Sequence, residues 1–386
     1  MPPLSPPPPR RPSPPSGRPS SPPPPPPASP SPYAYFSGLL ATDLQEVAHD
    51  PTALDATPGW WAVVGTFEGT WTFARFATVR QAPPPTGTWT GPHPNDWRTS
   101  LDQSEYEAGV ATIREYIAKG DVYQANLCRV LSAPISPADE PAGLAALLAH
   151  GNPAPYAGVI DIPAHNTRVV TASPELYLSR DGDRVVSSPI KGTGRTEHDL
   201  LPKDTAENVM IVDLVRNDLS RVAEPGSVSV PELCVVEKHP GLVHLVSSVH
   251  ARLRKGTTWS DLLAATFPPG SVTGAPKHSA LTILDQLEPV PRGPYCGAVG
   301  WIDSANATAR LAVAIRTFWI TTTPGEHTIP SADSVPPVLH FGTGAGITWG
   351  SDPTGEWRET ELKAARLIAL ATPAADPYSI CPVPPR

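Results

Sequence analysis

The sequence predicts an α+β protein, because strand-like and helix-like segments alternate along most of its 386 residues. Short runs rich in β-branched and aromatic residues predict strands; they lie at 168–171, 184–187, 298–302, 311–320 and 338–342. Apolar residues at helical spacing predict helices; these lie near 205–222, 275–287 and 356–370. Strands clustered between helices in this way are typical of α+β or mixed layered domains.

The region before these segments shows the same two patterns. Residues 59–65 and 70–76 are rich in aromatic and β-branched residues, which predicts two strands joined by a short turn at Glu68-Gly69. Apolar residues then recur at helical spacing from Tyr106 to Ile117. Gly120 supplies a natural C-terminal stop for that helix.

The two ends of the chain differ in composition from the rest. Proline occupies 18 of the first 32 residues, and such a run forms polyproline II and packs no core. We therefore expect residues 1–32 to be a disordered proline-rich tail, either a ligand for an SH3-like module or an extension without a specific partner. Residues 373–386 return to proline, and we expect a flexible C-terminal tail there.

Composition excludes several classes of protein. The formal net charge of −8 argues against a surface for nucleic acid or an anionic membrane. No apolar run approaches the roughly 20 residues of a membrane-spanning helix, and no apolar stretch follows Arg10 and Arg11 as in a secretory signal. The four cysteines form no C-x-x-C pair, which favours a reducing compartment. A cytoplasmic protein is the expectation.

Two predicted helices each carry a pair of acids one turn apart. Asp204 and Glu207 form one pair and Glu356 and Glu359 the other, with Lys363 one turn further on. Two such helices facing each other would supply oxygen ligands for Mg²⁺. Acids at this spacing are also common on solvated helix faces with salt bridges, and periodicity alone leaves both interpretations open.

Two glycine-rich segments indicate places where a ligand can approach the backbone. Residues 270–277 lead directly into a predicted helix, whose first N–H groups can bind a carboxylate or phosphate. Residues 342–346 lack the spacing and the following helix of a dinucleotide site, so we reject that interpretation. Arg316, after a strand-like run, is suited to a forked contact with a carboxylate, or to a structural ion pair.

Residues from about 105 to 372 closely resemble the chorismate-utilising enzymes, which include anthranilate, aminodeoxychorismate, isochorismate and salicylate synthases. Ten blocks match in the family's order, followed by the Glu356/Glu359/Lys363 helix. The blocks are GDVYQANL (120–127), SPE (173–175), PIKGT (189–193), AEN (206–208), MIVDLVRND (210–218), HLVS (244–247), GSVTGAPK (270–277), GPY (293–295), IRT (315–317) and GAGI (344–347).

The resemblance implies a two-lobed α/β sandwich of large antiparallel sheets with outer helices. Residues 33–100 would be a shortened N-terminal subregion, and 101–372 the chorismate-binding catalytic domain. One Mg²⁺ would hold the ring carboxylate of chorismate through Glu207 and Glu359, with Glu356 and Asp204 in or near its coordination shell. The resemblance also implies a set of carboxylate-binding positions: Thr273, Tyr295, Arg316, Gly344, Ala345, Gly346 and Lys363.

Two positions indicate the aminodeoxychorismate synthase component I branch of the family. Isochorismate and salicylate synthases carry a lysine base where this chain has Gln124, and anthranilate synthases carry alanine where it has Lys191. By resemblance, the uncharged Lys191 amine attacks C2 of chorismate while Glu175 protonates the departing C4 hydroxyl. His244 is a second candidate for proton transfer, or a hydrogen-bonded core histidine.

The resemblance also implies a partner and leaves alternatives. The chain contains no glutaminase signature, so a separate glutamine amidotransferase subunit would deliver ammonia. Anthranilate synthase component I is the nearest alternative, and a non-catalytic scaffold using the proline-rich tail is an alternative of another class. The segment after Thr193 is shorter than in the family, and the Leu-Leu-Glu-Ser signature of tryptophan feedback is missing, so we expect no tryptophan regulation.

Overall fold

A computed structural model describes residues 31–194, 196–200, 202–239, 242–322 and 335–372. The expectations for the proline-rich tail and for residues 373–386 lie outside this part of the chain, except at residues 31 and 32. Within it, no helix combines the length and the apolar character needed to cross a membrane.

The described residues form 18 strands and seven helices. The strands are Tyr33–Phe36 (β1), Leu39–Ala48 (β2), Trp60–Gly65 (β3), Trp71–Gln81 (β4), Arg98–Thr99 (β5), Gln124–Pro134 (β6), Tyr156–Ile162 (β7), Thr167–Ser173 (β8), Leu176–Asp181 (β9), Arg184–Ser188 (β10), Ile190–Gly194 (β11), Ser229–His239 (β12), Leu242–Arg252 (β13), Gly274–Ala275 (β14), Ala298–Asp303 (β15), Thr308–Val313 (β16), Thr317–Thr321 (β17) and Val338–Ile347 (β18). The helices are Thr52–Ala56 (α1), Gln103–Lys119 (α2), Pro141–Gly151 (α3), Pro202–Ser220 (α4), Trp259–Thr266 (α5), Lys277–Leu287 (α6) and Pro353–Ala371 (α7).

All strand pairings are antiparallel, and they join into one long curled ladder. One half runs in the order β5-β6-β18-β17-β8-β7-β1. The pairing of β1 with β2 leads into the other half, which runs β2-β4-β3-β15-β16-β9-β10-β13-β12. The strand β11 pairs with β13, and β14 pairs with β6. The predicted α+β fold of antiparallel sheets is confirmed.

The helices cover the two halves of the ladder separately. Helices α2, α3, α6 and α7 pack on the half that contains β6, β8 and β18, whereas α4 packs on β13 and also contacts α5. Burial of Val215 and Leu219 of α4 with Val249 of β13 illustrates the apolar stripe that drives this packing. The predicted outer helices are therefore confirmed on both halves.

The local signals for α2 describe its ends correctly. The Asp102 side chain caps the helix by accepting the Glu105 N–H. The Glu105 side chain accepts the Asp102 N–H in return, which completes a capping box. Gly120 ends the helix in the left-handed region, at φ +84°. Between these ends, Tyr106, Val110 and Ile113 are fully buried, as their spacing predicts.

The prediction of one strand over residues 311–320 is wrong. The chain leaves β16 after Val313 and enters β17 at Thr317, and Arg316 between them has φ +51°. The apolar run continues through the break because β16 belongs to one half of the ladder and β17 to the other, and both are buried. The crossing itself places Arg316 where the two halves meet.

Candidate active site

The centre of the candidate site is the place where β11 approaches β6 and β18. Lys191 lies on β11 opposite Leu245 of β13. Its Nζ atom lies 3.5 Å from the position that a Cβ atom on Gly346 would occupy, and the Gln124 amide nitrogen overlaps that position. Strands from the two halves of the ladder therefore bring together the Lys191 amine, the Gln124 amide and the backbone of Gly346, which has no side chain.

Gln124 has an unusual environment for an amide. Its side chain is 1% exposed, and its Oε1 atom has no hydrogen-bond partner among the described residues. A buried acceptor without a donor costs about 1–3 kcal/mol, so native proteins rarely keep one without a reason. An acceptor of this kind next to Lys191 is suited to a ligand that carries an N–H or O–H donor.

Glu175 lies in the connection between β8 and β9 and is almost completely buried. Burial raises the pKa of its carboxyl to about 7, against the opposing effects of a hydrogen bond from the Ser271 hydroxyl, the charge of Lys191 and the Ile190 N–H. Such a group carries a proton in a large fraction of molecules at neutral pH. The predicted acid therefore lies within the electrostatic reach of the predicted nucleophile.

Arg316 presents a cation that has no counter-charge among the described residues. Its carbonyl oxygen accepts the Ala172 N–H at 3.0 Å, which anchors its backbone to β8. Burial lowers the pKa of its guanidinium, and no carboxylate of the described chain opposes this effect. A largely buried guanidinium that lacks an ion pair is suited to an anionic ligand.

The predicted carboxylate-binding positions on β18 and α7 differ in what they can offer a ligand. Gly344 must be glycine, since a Cβ atom there would lie 2.6 Å from the Leu127 carbonyl oxygen. The side chain of Ala345 is buried in the cluster formed with α2 and α6, so only its backbone can face a ligand. Lys363 of α7 donates to the Gly344 carbonyl at 3.0 Å and pairs with Glu359 at 2.8 Å.

Thr273 and Tyr295 are buried around the same strands. The Thr273 hydroxyl is engaged within its own loop, with the carbonyl oxygens of Pro269 and Gly270 both 3.2 Å away. Tyr295 packs its ring directly on Gly342, and burial raises the pKa of its phenol. Both residues shape the wall next to β18, and Tyr295 does so because Gly342 lacks a side chain.

The predicted metal ligands come from helices on different halves of the ladder. On α4, Asp204 lies against β11, since a Cβ atom on Gly192 would lie 2.9 Å from the Asp204 Cβ. On α7, Glu356 is buried and Glu359 is paired with Lys363. No group of three or more acids, histidines or cysteines converges among the described residues. Mg²⁺ often takes only one or two protein carboxylates beside water and substrate oxygens, so two carboxylates would be enough in number, and the ligand set stays a prediction.

His244 is 2% exposed and lies on β13, opposite Thr193 of β11 and Glu237 of β12. It is thus on the same strand that supports Lys191. Its two proposed roles, proton transfer and core packing, both remain predictions.

Sequence reasoning missed two groups near the site. Ser271 lines the same small cavity as Glu175, although 96 positions separate them. Arg292 is buried and makes a forked pair with Glu288, at 2.7 Å to each carboxylate oxygen. It also donates to the carbonyl oxygen of Val272, beside Thr273, at 2.9 Å. The i,i+4 spacing of Glu288 and Arg292 is the only sequence signal for this pair.

Residues 64–369 match the family model described as chorismate binding enzyme. The chain is 39% identical to anthranilate synthase component 1 of Haloarcula marismortui over 67% of its length and 52% of that protein's length. It is 38% identical to aminodeoxychorismate synthase component 1 of Klebsiella aerogenes, over 70% of this chain and 59% of that protein. The chain thus spans little more than half the length of these relatives.

Solved structures share the fold. An isochorismate synthase from Bacillus anthracis superposes with a TM-score of 0.70 at 24% identity, covering 88% of this chain and 96% of that one. Anthranilate synthase component I from Streptococcus pneumoniae superposes with a TM-score of 0.66 at 24% identity, covering 88% and 90%. Two differently named groups of relatives are nearly equally similar in sequence, so overall similarity does not choose between their reactions.

Proposed function

Because the chain belongs to the family of chorismate-binding enzymes, we propose that it aminates chorismate to 4-amino-4-deoxychorismate, as an aminodeoxychorismate synthase component I. The single observation that carries this proposal is the position of the Lys191 amine, beside Gly346 and within the electrostatic reach of the buried Glu175. A reaction that needs only a metal and an acid has no use for an amine at this point.

In the proposed reaction, the uncharged Lys191 amine attacks C2 of the ring. The N–C2 bond forms as the ring double bonds shift and the C4–O bond breaks, and the Glu175 carboxyl gives its proton to the departing oxygen, which leaves as water. Ammonia then adds at C4 while the C2–N bond breaks and releases the amine. The Glu175 carboxylate takes one proton from the new C4 ammonium, so protons balance over the cycle.

The state of Glu175 supports its part in this reaction. A carboxyl with a pKa of about 7 can give a proton at neutral pH and can also accept one in the second half of the cycle. Burial is the main cause of the raised value, and it arises from the packing of the β8–β9 connection against the loop that carries Ser271.

Gln124 supports ammonia, rather than water, as the incoming nucleophile. An amide cannot act as a general base, so it cannot activate water by removing a proton. Its buried Oε1 atom can accept a hydrogen bond from an N–H group of ammonia, and it has no other partner among the described residues. Ammonia needs no deprotonation before it attacks, so an acceptor that only orients it is sufficient.

Arg316, Lys363 and the glycine-rich backbone of β18 are the groups we assign to the two carboxylates of chorismate. Arg316 supplies a cation that has no carboxylate partner in the part of the chain that the structure describes. Mg²⁺, held by Glu207 and Glu359 with Glu356 and Asp204 beside them, would bind the ring carboxylate and withdraw electron density from the ring when present. We further propose that a separate glutamine amidotransferase subunit supplies ammonia and that the reaction takes place in the cytoplasm.

The test is a product analysis of the protein with chorismate, Mg²⁺ and ammonium. We expect 4-amino-4-deoxychorismate, which becomes 4-aminobenzoate when a lyase is added. Fluorescent anthranilate without an added lyase would instead assign the chain to anthranilate synthase component I. Deletion of residues 1–32 should leave turnover unchanged, whereas the scaffold alternative requires that tail.

Lys191→Ala tests the covalent step. We expect this variant to lose at least 100-fold in turnover and to lose any adduct of chorismate detected by intact mass. Lys255→Ala, which removes an exposed lysine on the surface, is the matched control. Full activity of Lys191→Ala would remove the reason for choosing this branch of the family.

A further inference from the structure

Two crossings between the halves of the ladder lie side by side. One runs from β8 to β9 through Pro174-Glu175, and we call it the acid crossing. The other runs from β16 to β17 through residues 314–316, and we call it the arginine crossing. They are neighbours because β9 pairs with β16 and β8 pairs with β17. The proposed acid Glu175 and the cation Arg316 thus lie on adjacent crossings.

Regular strand pairing stops on either side of these crossings. The pairing of β9 with β16 ends at Leu176 and Ala312. The pairing of β8 with β17 ends at Thr171 and Thr317. Hydrogen bonds outside the regular ladder must therefore satisfy the buried backbone groups between these pairs.

The backbone of Glu175 is held at both of its polar groups. Its carbonyl oxygen accepts the Val313 N–H at 3.0 Å, and its N–H donates to the Ser173 hydroxyl at 3.2 Å. Pro174 has no N–H, so Glu175 carries the one backbone donor of the acid crossing. Loss of the Ser173 hydroxyl would leave this buried donor without its acceptor.

The Ser173 hydroxyl also bonds to the strand before the arginine crossing. It donates to the Val313 carbonyl oxygen at 2.6 Å, so one side chain bridges the Glu175 N–H and the last residue of β16. Ser173 is 0% exposed, and water therefore does not compete for either bond. Arg316 has a separate anchor, because its carbonyl oxygen accepts the Ala172 N–H at 3.0 Å.

We propose that Ser173 is a positioning residue for the acid Glu175, and that its hydroxyl holds the acid crossing against the end of β16. This inference rests on the proposed function, because it takes Glu175 as the acid. Ser173 acts on the reaction through the backbone of Glu175, which sets where the carboxyl lies. A reacting group keeps its productive geometry only when neighbouring hydrogen bonds fix its support in this way.

Ser173→Ala tests the proposal through the split between kcat and KM. Without the hydroxyl the acid crossing can shift, and a displacement of about 1 Å in a reacting group can cost about 100-fold in rate. We expect kcat to fall by about tenfold or more. The KM for chorismate should stay within about twofold of the parent, because the anchor of Arg316 is unchanged.

Ser304→Ala is the matched control. The Ser304 hydroxyl accepts the Gly59 N–H at 3.2 Å and donates to the Gly59 carbonyl oxygen at 3.3 Å. It therefore bridges the same two kinds of backbone group as Ser173. It lies in the turn between β15 and β16, at the other end of β16 from Val313. We expect this variant to keep the parental kcat and KM.

A double-mutant cycle with Glu175→Gln shows whether Ser173 acts through the acid. The glutamine has no carboxyl proton to deliver, so a shift of its backbone should cost little more. In that background we expect Ser173→Ala to change kcat by about twofold or less, against about tenfold or more in the parent. Ser173→Cys has a similar shape and a weaker donor, and it replaces the alanine variant in the cycle if that variant does not fold.

The assay follows consumption of chorismate, with circular dichroism as the check of folding. Unchanged kcat in folded Ser173→Ala or Ser173→Cys would overturn the inference. Equal losses in the two backgrounds, an equal loss in Ser304→Ala, or a raised KM at constant kcat would do the same. Parental turnover of Glu175→Gln alone would overturn the proposed function and this inference together. A slow Glu175→Gln with equal losses in both backgrounds counts against the role of Ser173 alone.

Discussion

The Lys191 amine lies 3.5 Å from the position that a Cβ atom on Gly346 would occupy. Because Gly346 has no side chain, this amine and the Gln124 amide can lie side by side. Neither residue is near the other in sequence. The relationship depends on the fold, because β11 pairs with β13 in one half of the ladder and β18 pairs with β6 in the other.

Gly346→Ala should therefore damage catalysis far more than folding. The added methyl group overlaps the Gln124 amide and contacts the Lys191 amine, and a displacement of about 1 Å in a reacting group can cost about 100-fold in rate. We expect kcat to fall by at least tenfold. Gly350→Ala is the control, because a Cβ atom there meets nothing within 4 Å. Equal kcat in both variants would contradict the placement of Lys191.

Glu175→Gln should separate stability from activity. The pKa of this carboxyl rises from an ordinary 4.5 to about 7 in the folded protein, mainly through burial. The folded state therefore holds a proton that the unfolded state has lost, and stability falls as pH rises through this window. Above pH 7 the free energy of unfolding should be lower by roughly 3 kcal/mol than it is below pH 4.5, as far as this one carboxyl is concerned. The glutamine variant should lack that loss, be more stable than the parent at pH 8, and be about 100-fold or more slower.

Urea unfolding of the parent and of Glu175→Gln at pH 5 and pH 8 measures this difference. Parallel changes in both proteins between the two pH values would show that the carboxyl does not titrate in this range. Circular dichroism at both pH values provides the check that each protein is folded at the start.

Lys277→Met should be strongly destabilising. It removes the ion-pair partner of Asp218. Burial raises the pKa of the Asp218 carboxyl, and the ion pair with Lys277 opposes that rise. Breaking a buried pair on one side costs about 3–5 kcal/mol. Arg216→Met breaks an exposed pair with Asp213 and should cost about 1 kcal/mol or less. Equal unfolding midpoints for the two variants would contradict this account of the Lys277–Asp218 pair.

Arg316→Met should weaken substrate binding without a comparable loss of stability. The guanidinium is largely buried and has no carboxylate partner in the described chain, so its removal leaves no protein anion unpaired. We expect the KM for chorismate to rise by at least tenfold, with an unchanged melting temperature. Arg184→Met, at an exposed strand position, is the control. A large drop in melting temperature with an unchanged KM would assign Arg316 a structural role.

The sequence predicts those elements whose cause is local. The helix α2 has its acidic cap, apolar period and terminal glycine within one segment, and the structure reproduces all three. The strands β3 and β4 likewise follow from aromatic and β-branched runs around a turn. The break at Arg316 could not be predicted, because the run on both sides of it is apolar and buried and only the crossing between the two halves interrupts it.

The amino-acid sequence by itself determined the fold class, the family and the residue types of the candidate site, because motif spacing and periodicity are properties of short segments. Only the tertiary structure decided that the Gln124 carbonyl oxygen lacks a partner among the described residues, that Gly346 makes room for Lys191, and that Glu175 is buried. These relationships depend on burial and on contacts between strands and loops far apart in the chain, and desolvation acts on a group only after the fold has removed it from water.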